Sequence, residues 1–137
     1  MKQLRIALIL LAMAVVLGAF GAHALKTRLT ESSLEVWNTG VLYHFIHAIG
    51  VVLLAILYKM HWLKPRAFQA SSWLMIIGIV FFSGSIYGLS TFDIHMANVK
   101  WLGPITPLGG LLFISGWLVA AFGLKSSGDK DSLDIAK

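Results

Sequence analysis

Four stretches of this 137-residue chain contain no Asp, Glu, Lys or Arg. They are Ile6–Leu25, Val36–Tyr58, Ala67–Phe92 and Trp101–Leu124, of 20, 23, 26 and 24 residues. A helix climbs about 1.5 Å per residue, so a hydrocarbon core of roughly 30 Å is crossed by about 20 apolar residues. Each stretch is long enough. The sequence therefore predicts an all-α integral-membrane four-helix bundle occupying residues 1–125, with spans at about 5–25, 36–58, 69–91 and 104–124. A polar tail of mixed charge, 126–137, is expected to be disordered and cytoplasmic.

Composition agrees. Hydrophobic residues make up 58% of the chain and charged residues 12%, against about 45–50% and about 25% in a soluble domain. A soluble domain of this size could bury one or two such helices, not four with short connectors. Cysteine is absent, which excludes disulfides and thiolate ligands or nucleophiles. The net charge of +5 does not point to nucleic acid, because the charges sit at the ends of the spans. The bilayer itself is the expected partner.

The first span imitates a secretory signal, with Lys2 and Arg5 ahead of an apolar run and Ala22-His23-Ala24 resembling a cleavage site. The run continues unbroken through Gly18 to Leu25, so a retained span is expected. Four spans place the N-terminus, the middle loop and the tail on one side, with Lys2, Arg5, Lys59, Lys64, Arg66, Lys125, Lys130 and Lys137. Lys26, Arg28 and Lys100 fall on the other. Lys and Arg are held back in the cytoplasm during insertion, which predicts both termini cytoplasmic in a bacterial inner membrane. Tyr58, Trp62 and Trp73 are expected at the inner interface, Trp37, Phe92 and Trp101 at the outer one.

Local signals refine the ends. Ser32 and Glu35 have capping-box spacing, predicting a second helix that begins near Ser33. Pro107 predicts a fourth helix that either starts there or begins earlier and kinks.

Small residues at helical spacing mark packing faces. Ala14, Gly18 and Ala22 lie four apart, Gly84 and Gly88 form GxxxG, and Gly116 and Ala120 repeat the spacing. Lipid offers little hydrophobic drive between helices, so association depends on the close approach that small residues permit. Gly18, Gly21, Gly84, Gly88, Gly109, Gly110 and Gly116 are expected to pack helices within the monomer. Gly18 and Gly21 preceding Gly40, and Gly84 and Gly88 preceding Gly109 and Gly110, form a weak echo between the two halves. Alternatively the Gly84/Gly88 ridge faces a second copy.

Polar residues within the spans are few. Tyr43 and His47 share a helix face, and His44 neighbours His47. His47 falls about ten residues past Trp37, near midplane, where a polar group is costly without a partner. Tyr43, Asn38, Ser83, Ser85 and Thr106 are candidate partners, and His23 and His95 could join an outward-facing cluster. Three readings are open: a hydrogen-bonded core residue, a ligand-binding or proton-relay group, or a metal or haem ligand. No carboxylate or thiolate lies in the spans to complete a metal site, and no cofactor is expected. No ionisable residue other than histidine and tyrosine is buried there, no Ser–His–Asp set with a placed acid appears, and no phosphate-binding glycine loop appears. Catalysis is not expected.

Several of these segments together carry a resemblance. They are Gly18-Ala19-Phe20-Gly21-Ala22-His23-Ala24-Leu25-Lys26, Tyr43 with His47-Ala48, Phe82-Ser83-Gly84-Ser85-Ile86-Tyr87, and Ile105-Thr106-Pro107-Leu108-Gly109-Gly110 through Gly116-Trp117. They resemble the YgdD-like family, small bacterial inner-membrane proteins with a domain of unknown function, similar also to a small eukaryotic transmembrane protein. The resemblance covers roughly residues 5–124. It implies a four-span helical membrane protein and supplies no activity, substrate or cofactor. It marks His23, Tyr43, His47, Ser83 and the Thr106-Pro107-Gly109-Gly110 turn as family positions, and ranks His44 below His47. A structural or accessory protein is the leading expectation. An oligomeric transporter or lipid-binding protein using the His23/Tyr43/His47 region comes second, a membrane enzyme last.

Overall fold

A computed structural model describes residues 1–91 and 100–125. Four helices run α1 (Lys2–Phe20), α2 (Glu31–Lys59), α3 (Pro65–Ser90) and α4 (Ile105–Phe122), with a 3-10 turn at Lys100–Leu102. All four are long and apolar enough to cross a membrane. A helix satisfies its own backbone groups, which hydrocarbon cannot do for it. Phe92, Asp93, His95, Asn98 and the 126–137 tail lie outside the described residues.

The first helix is longer than α1 alone, because a π-helical turn, Gly21–Leu25, continues it. The indole of Trp37 donates from Nε1 to the Leu17 carbonyl at 3.1 Å, entering the helix ladder where the winding changes. Inserted side chains of this kind are a recognised cause of local widening. Gly21 makes room, since a Cβ there would sit 2.6 Å from the Trp37 Nε1. Trp37 is thus a core residue, 4% exposed, with its ring 4.6 Å from that of Tyr87. A ring at the end of a span can turn inward when a glycine opposite leaves space.

The second helix starts earlier than the sequence reading, and the fourth starts near Pro107 as that reading allowed. α2 begins at Glu31, capped by Thr30, whose hydroxyl oxygen accepts from the Ser33 N–H at 3.2 Å. The Ser32/Glu35 pair falls inside the first turns instead. α4 begins at Ile105, so Pro107 occupies its first turn, where the missing N–H has no acceptor to lose.

The two hairpins pack through antiparallel registers. On α2 and α3, Gly40 lies against Ile86 and Tyr87, and Gly50 against Met75. At the other end the Tyr58 ring stacks on Phe68 at 4.6 Å. On α3 and α4, Gly109 meets Phe82, Phe113 fills the space over Gly78, and Gly116 meets Met75 and the Ser71 carbonyl. The packing face of α1 is Ala7, Ala14, Gly18 and Gly21 rather than the Ala14–Gly18–Ala22 row, as Ala22 is exposed.

One end of the bundle is tied by backbone bonds. Lys64 N–H donates to the Gly123 carbonyl at 3.0 Å and Lys125 N–H to the Trp62 carbonyl at 2.9 Å, pairing Leu63 with Leu124. Gln3 of α1 donates its amide to Gln69 Oε1 of α3. The start of α1, the α2–α3 loop and the end of α4 therefore share that end, which carries Lys2, Arg5, Lys59, Lys64, Arg66 and Lys125.

Candidate functional site

The polar residues marked in the sequence separate into distinct places. His47 on α2 is 5% exposed. Its Nδ1–H donates to the Tyr43 carbonyl of its own helix at 2.8 Å, so that nitrogen is bonded without reaching another helix. Its face lies flat on Phe113 of α4, with centroids 3.4 Å apart and planes at 10°, and Trp117 stands 6.1 Å away. Tyr43 stacks beside it, 5.8 Å away, and leans on Phe82 at 4.6 Å. The arrangement is an aromatic column joining α2, α3 and α4, with one imidazole in it. Phe113 can stand there because Gly78 opposite lacks a side chain: a Cβ at Gly78 would lie 2.6 Å from the phenyl.

None of Asn38, Ser83, Ser85 or Thr106 bonds to His47. Ser85 and Thr106 find each other instead, oxygen to oxygen at 2.6 Å, tying α3 to the first turn of α4. Ser85 also donates to the Phe82 carbonyl at 2.9 Å. His23 is exposed in the π turn and has no hydrogen bond or ring contact with Tyr43 or His47. The expected His23/Tyr43/His47 grouping is thus not assembled, because the π turn ends α1 with His23 facing outward.

His44, ranked below His47 on the sequence, makes the cross-helix bond. It is 2% exposed, and its Nδ1 lies 3.2 Å from the Tyr87 hydroxyl of α3. The ring also approaches the Leu10 main chain of α1. Its Nε2 is buried without an aligned partner, as is Ser83 Oγ. The α2–α3 register, which sets Gly40 at Ile86 and Tyr43 at Phe82, puts Ser83 near the level of His44. The sequence held no signal for this, since the helix against which each face of α2 packs is set by the fold.

Among the described residues, no atom lies within 4 Å of a Cβ built at Gly84, and one at Gly88 meets Leu102. The GxxxG pair of α3 therefore does not pack against another of the described helices. The echo between the halves fails at the same place, since Gly18 and Gly21 do face α2. Gly110 makes ordinary contact with Phe82 at 3.8 Å.

Among the described residues no three of His, Cys, Asp and Glu come together as a metal site would need. Three surface hollows are lined by other residues than His23, Tyr43, His47, Ser83 and Thr106: one at the basic end, one on the lipid face of α1, and one between α2 and α4.

The chain matches the family described as "Protein of unknown function (DUF423)" over residues 17–110. It is 45% identical to the UPF0382 membrane protein YwdK of Bacillus subtilis, over 78% of this chain and 82% of that one. It is 42% identical to a UPF0382 membrane protein of Haemophilus influenzae, over 80% and 82%. A eukaryotic relative, UPF0382 membrane protein C1782.12c of Schizosaccharomyces pombe, is 34% identical over 77% and 86%. No solved structure matches. The family match and these relatives agree on one assignment: the chain belongs to the DUF423 family of membrane proteins of unknown function.

Proposed function

We propose that this is a structural or accessory protein of the bacterial inner membrane, with both termini cytoplasmic and no catalytic step of its own. The observation that carries the reading is the state of His47. Its Nδ1 is bonded within its own helix and its face is covered by Phe113, as in a packing residue. The orientation rests on charge: the end that gathers Lys2, Arg5, Lys59, Lys64, Arg66 and Lys125 is the end that stays inside. The YgdD-like resemblance belongs with this reading, as four-span inner-membrane proteins of unknown function.

A homo-oligomer is part of the proposal. Gly84 opens a groove on the lipid side of α3 where a second helix could approach closely.

His47→Ala tests the reading. The expected result is a loss of about 1 kcal/mol of stability in detergent, from the stacked contact, while reconstituted protein conducts no protons or ions before or after the change. Unchanged stability together with a His47-dependent ion flux would contradict it.

A further inference from the structure

We propose that the basic end of the bundle is a binding site for one anionic phospholipid, its phosphate among Lys59, His61 and Lys125 and one acyl chain along the α2–α4 groove. A hollow of about 390 Å³ opens there, lined by Tyr58, Lys59, His61, Leu63, Pro65 and Lys125. Its lining holds two ammonium groups and no carboxylate. A second hollow of about 180 Å³ runs between the helices, with Leu53, Leu57, Trp117 and Ala121 among its walls.

The two lie next to each other. Leu63 of the first is paired through its backbone with Leu124 of the second. Leu57 and Lys59 lie on the same last turn of α2. From Lys59 to Leu53 is six residues, about 9 Å of helix, so the apolar walls lie deeper in the bilayer than the charges. That order, cationic rim above apolar trough, is the order of a phospholipid's own parts. Basic pockets between spans take anionic headgroups for this reason.

Two backbone features favour an anion at the rim. The α2 carbonyls that would repel it are occupied, because His61 N–H bonds the Tyr58 carbonyl at 3.0 Å and Trp62 N–H bonds that of Leu57 at 2.9 Å. This is the Schellman closure, whose left-handed residue is ordinarily glycine. Here it is His61, at φ 62°, so an imidazole stands at the rim where glycine would fit more easily. The first turn of α3 begins at Pro65 in the hollow wall, and its cap residue Lys64 makes no side-chain bond to it, leaving the positive end of that helix open.

The test is native mass spectrometry of the full-length protein titrated with phosphatidylglycerol, phosphatidylcholine of the same chains, and inorganic phosphate. The expected result is retention of phosphatidylglycerol over phosphatidylcholine. Lys59→Gln/Lys125→Gln should weaken it about fivefold per lysine, roughly 25-fold together. Lys26→Gln/Arg28→Gln at the other end should leave it unchanged. Ala121→Phe, which fills the trough, should weaken phosphatidylglycerol without a change in the lysines. Equal retention of the two lipids by the wild-type protein would overturn the proposal, and that comparison needs no variant to fold. Phosphate binding as tight as the lipid, or indifference to the double lysine change in a protein that melts normally, would overturn it as well.

Discussion

Replacing Phe113 by alanine separates packing from hydrophobic burial as the force that holds this bundle. The ring is 3% exposed, lies 3.4 Å from His47 and fills the space above Gly78. In a water-soluble core Phe→Ala costs about 3–5 kcal/mol, of which transfer of the side chain out of water accounts for about 1.5–3. Here the unfolded reference still has its helices in lipid, so the transfer part cancels. What is left is lost contact and cavity, about 1.5–2 kcal/mol. Ile114→Ala, one residue on and 59% exposed, loses lipid contact in both states and should cost under about 0.5 kcal/mol. Reversible unfolding in mixed micelles, followed by the fluorescence of the five tryptophans, measures both. Equal losses for the two variants, or a loss under about 0.5 kcal/mol for Phe113→Ala, would refute packing as the source of stability.

Two further outcomes follow from the α3–α4 interface. Gly109→Ala places a Cβ 2.8 Å from the Phe82 Cα, a backbone atom that cannot rotate aside, so unfolding in the same micelles should show a loss of about 1–3 kcal/mol. Gly110→Ala, whose nearest neighbours stand at 3.8 Å, should be neutral in that assay. A double-mutant cycle on Ser85→Ala and Thr106→Val should give a coupling near 0.6 kcal/mol, the average for hydrogen bonds between membrane helices; a coupling of zero would mean the 2.6 Å contact does not hold the helices.

The spans were legible because charge is excluded from hydrocarbon, and Arg5, Lys26, Glu35, Lys59, Arg66 and Lys100 bracket them in the sequence. Which face of each helix packs was far less legible. In water, buried and exposed positions differ in polarity. In lipid they do not, and Val16 at 66% and Phe122 at 84% exposure are as apolar as the buried Val51 and Phe113. Residue size is the remaining signal, and it misled at Gly84 while Gly78 and Gly50 went unmarked. Polar residues behaved similarly. Ser85 and Thr106 were flagged and do bond across helices, but to each other. His47 bonds its Nδ1 within α2, because a ring nitrogen one turn from a backbone carbonyl needs no other helix for that bond, and His44 makes the bond to α3. The π turn at Gly21–Leu25 could not be read, since it depends on an indole sixteen residues on.

The central claim is that four helices cross the bilayer with the clamped, basic end inside. The chain has no cysteine, so single cysteines report position without background. Thr27→Cys and His61→Cys, each treated with a membrane-impermeant maleimide in cells with a permeabilised outer membrane, are predicted to differ. Thr27→Cys should label at once, and His61→Cys only after the inner membrane is opened. Labelling of His61→Cys with the inner membrane intact, or of both positions from the same side, would contradict the account.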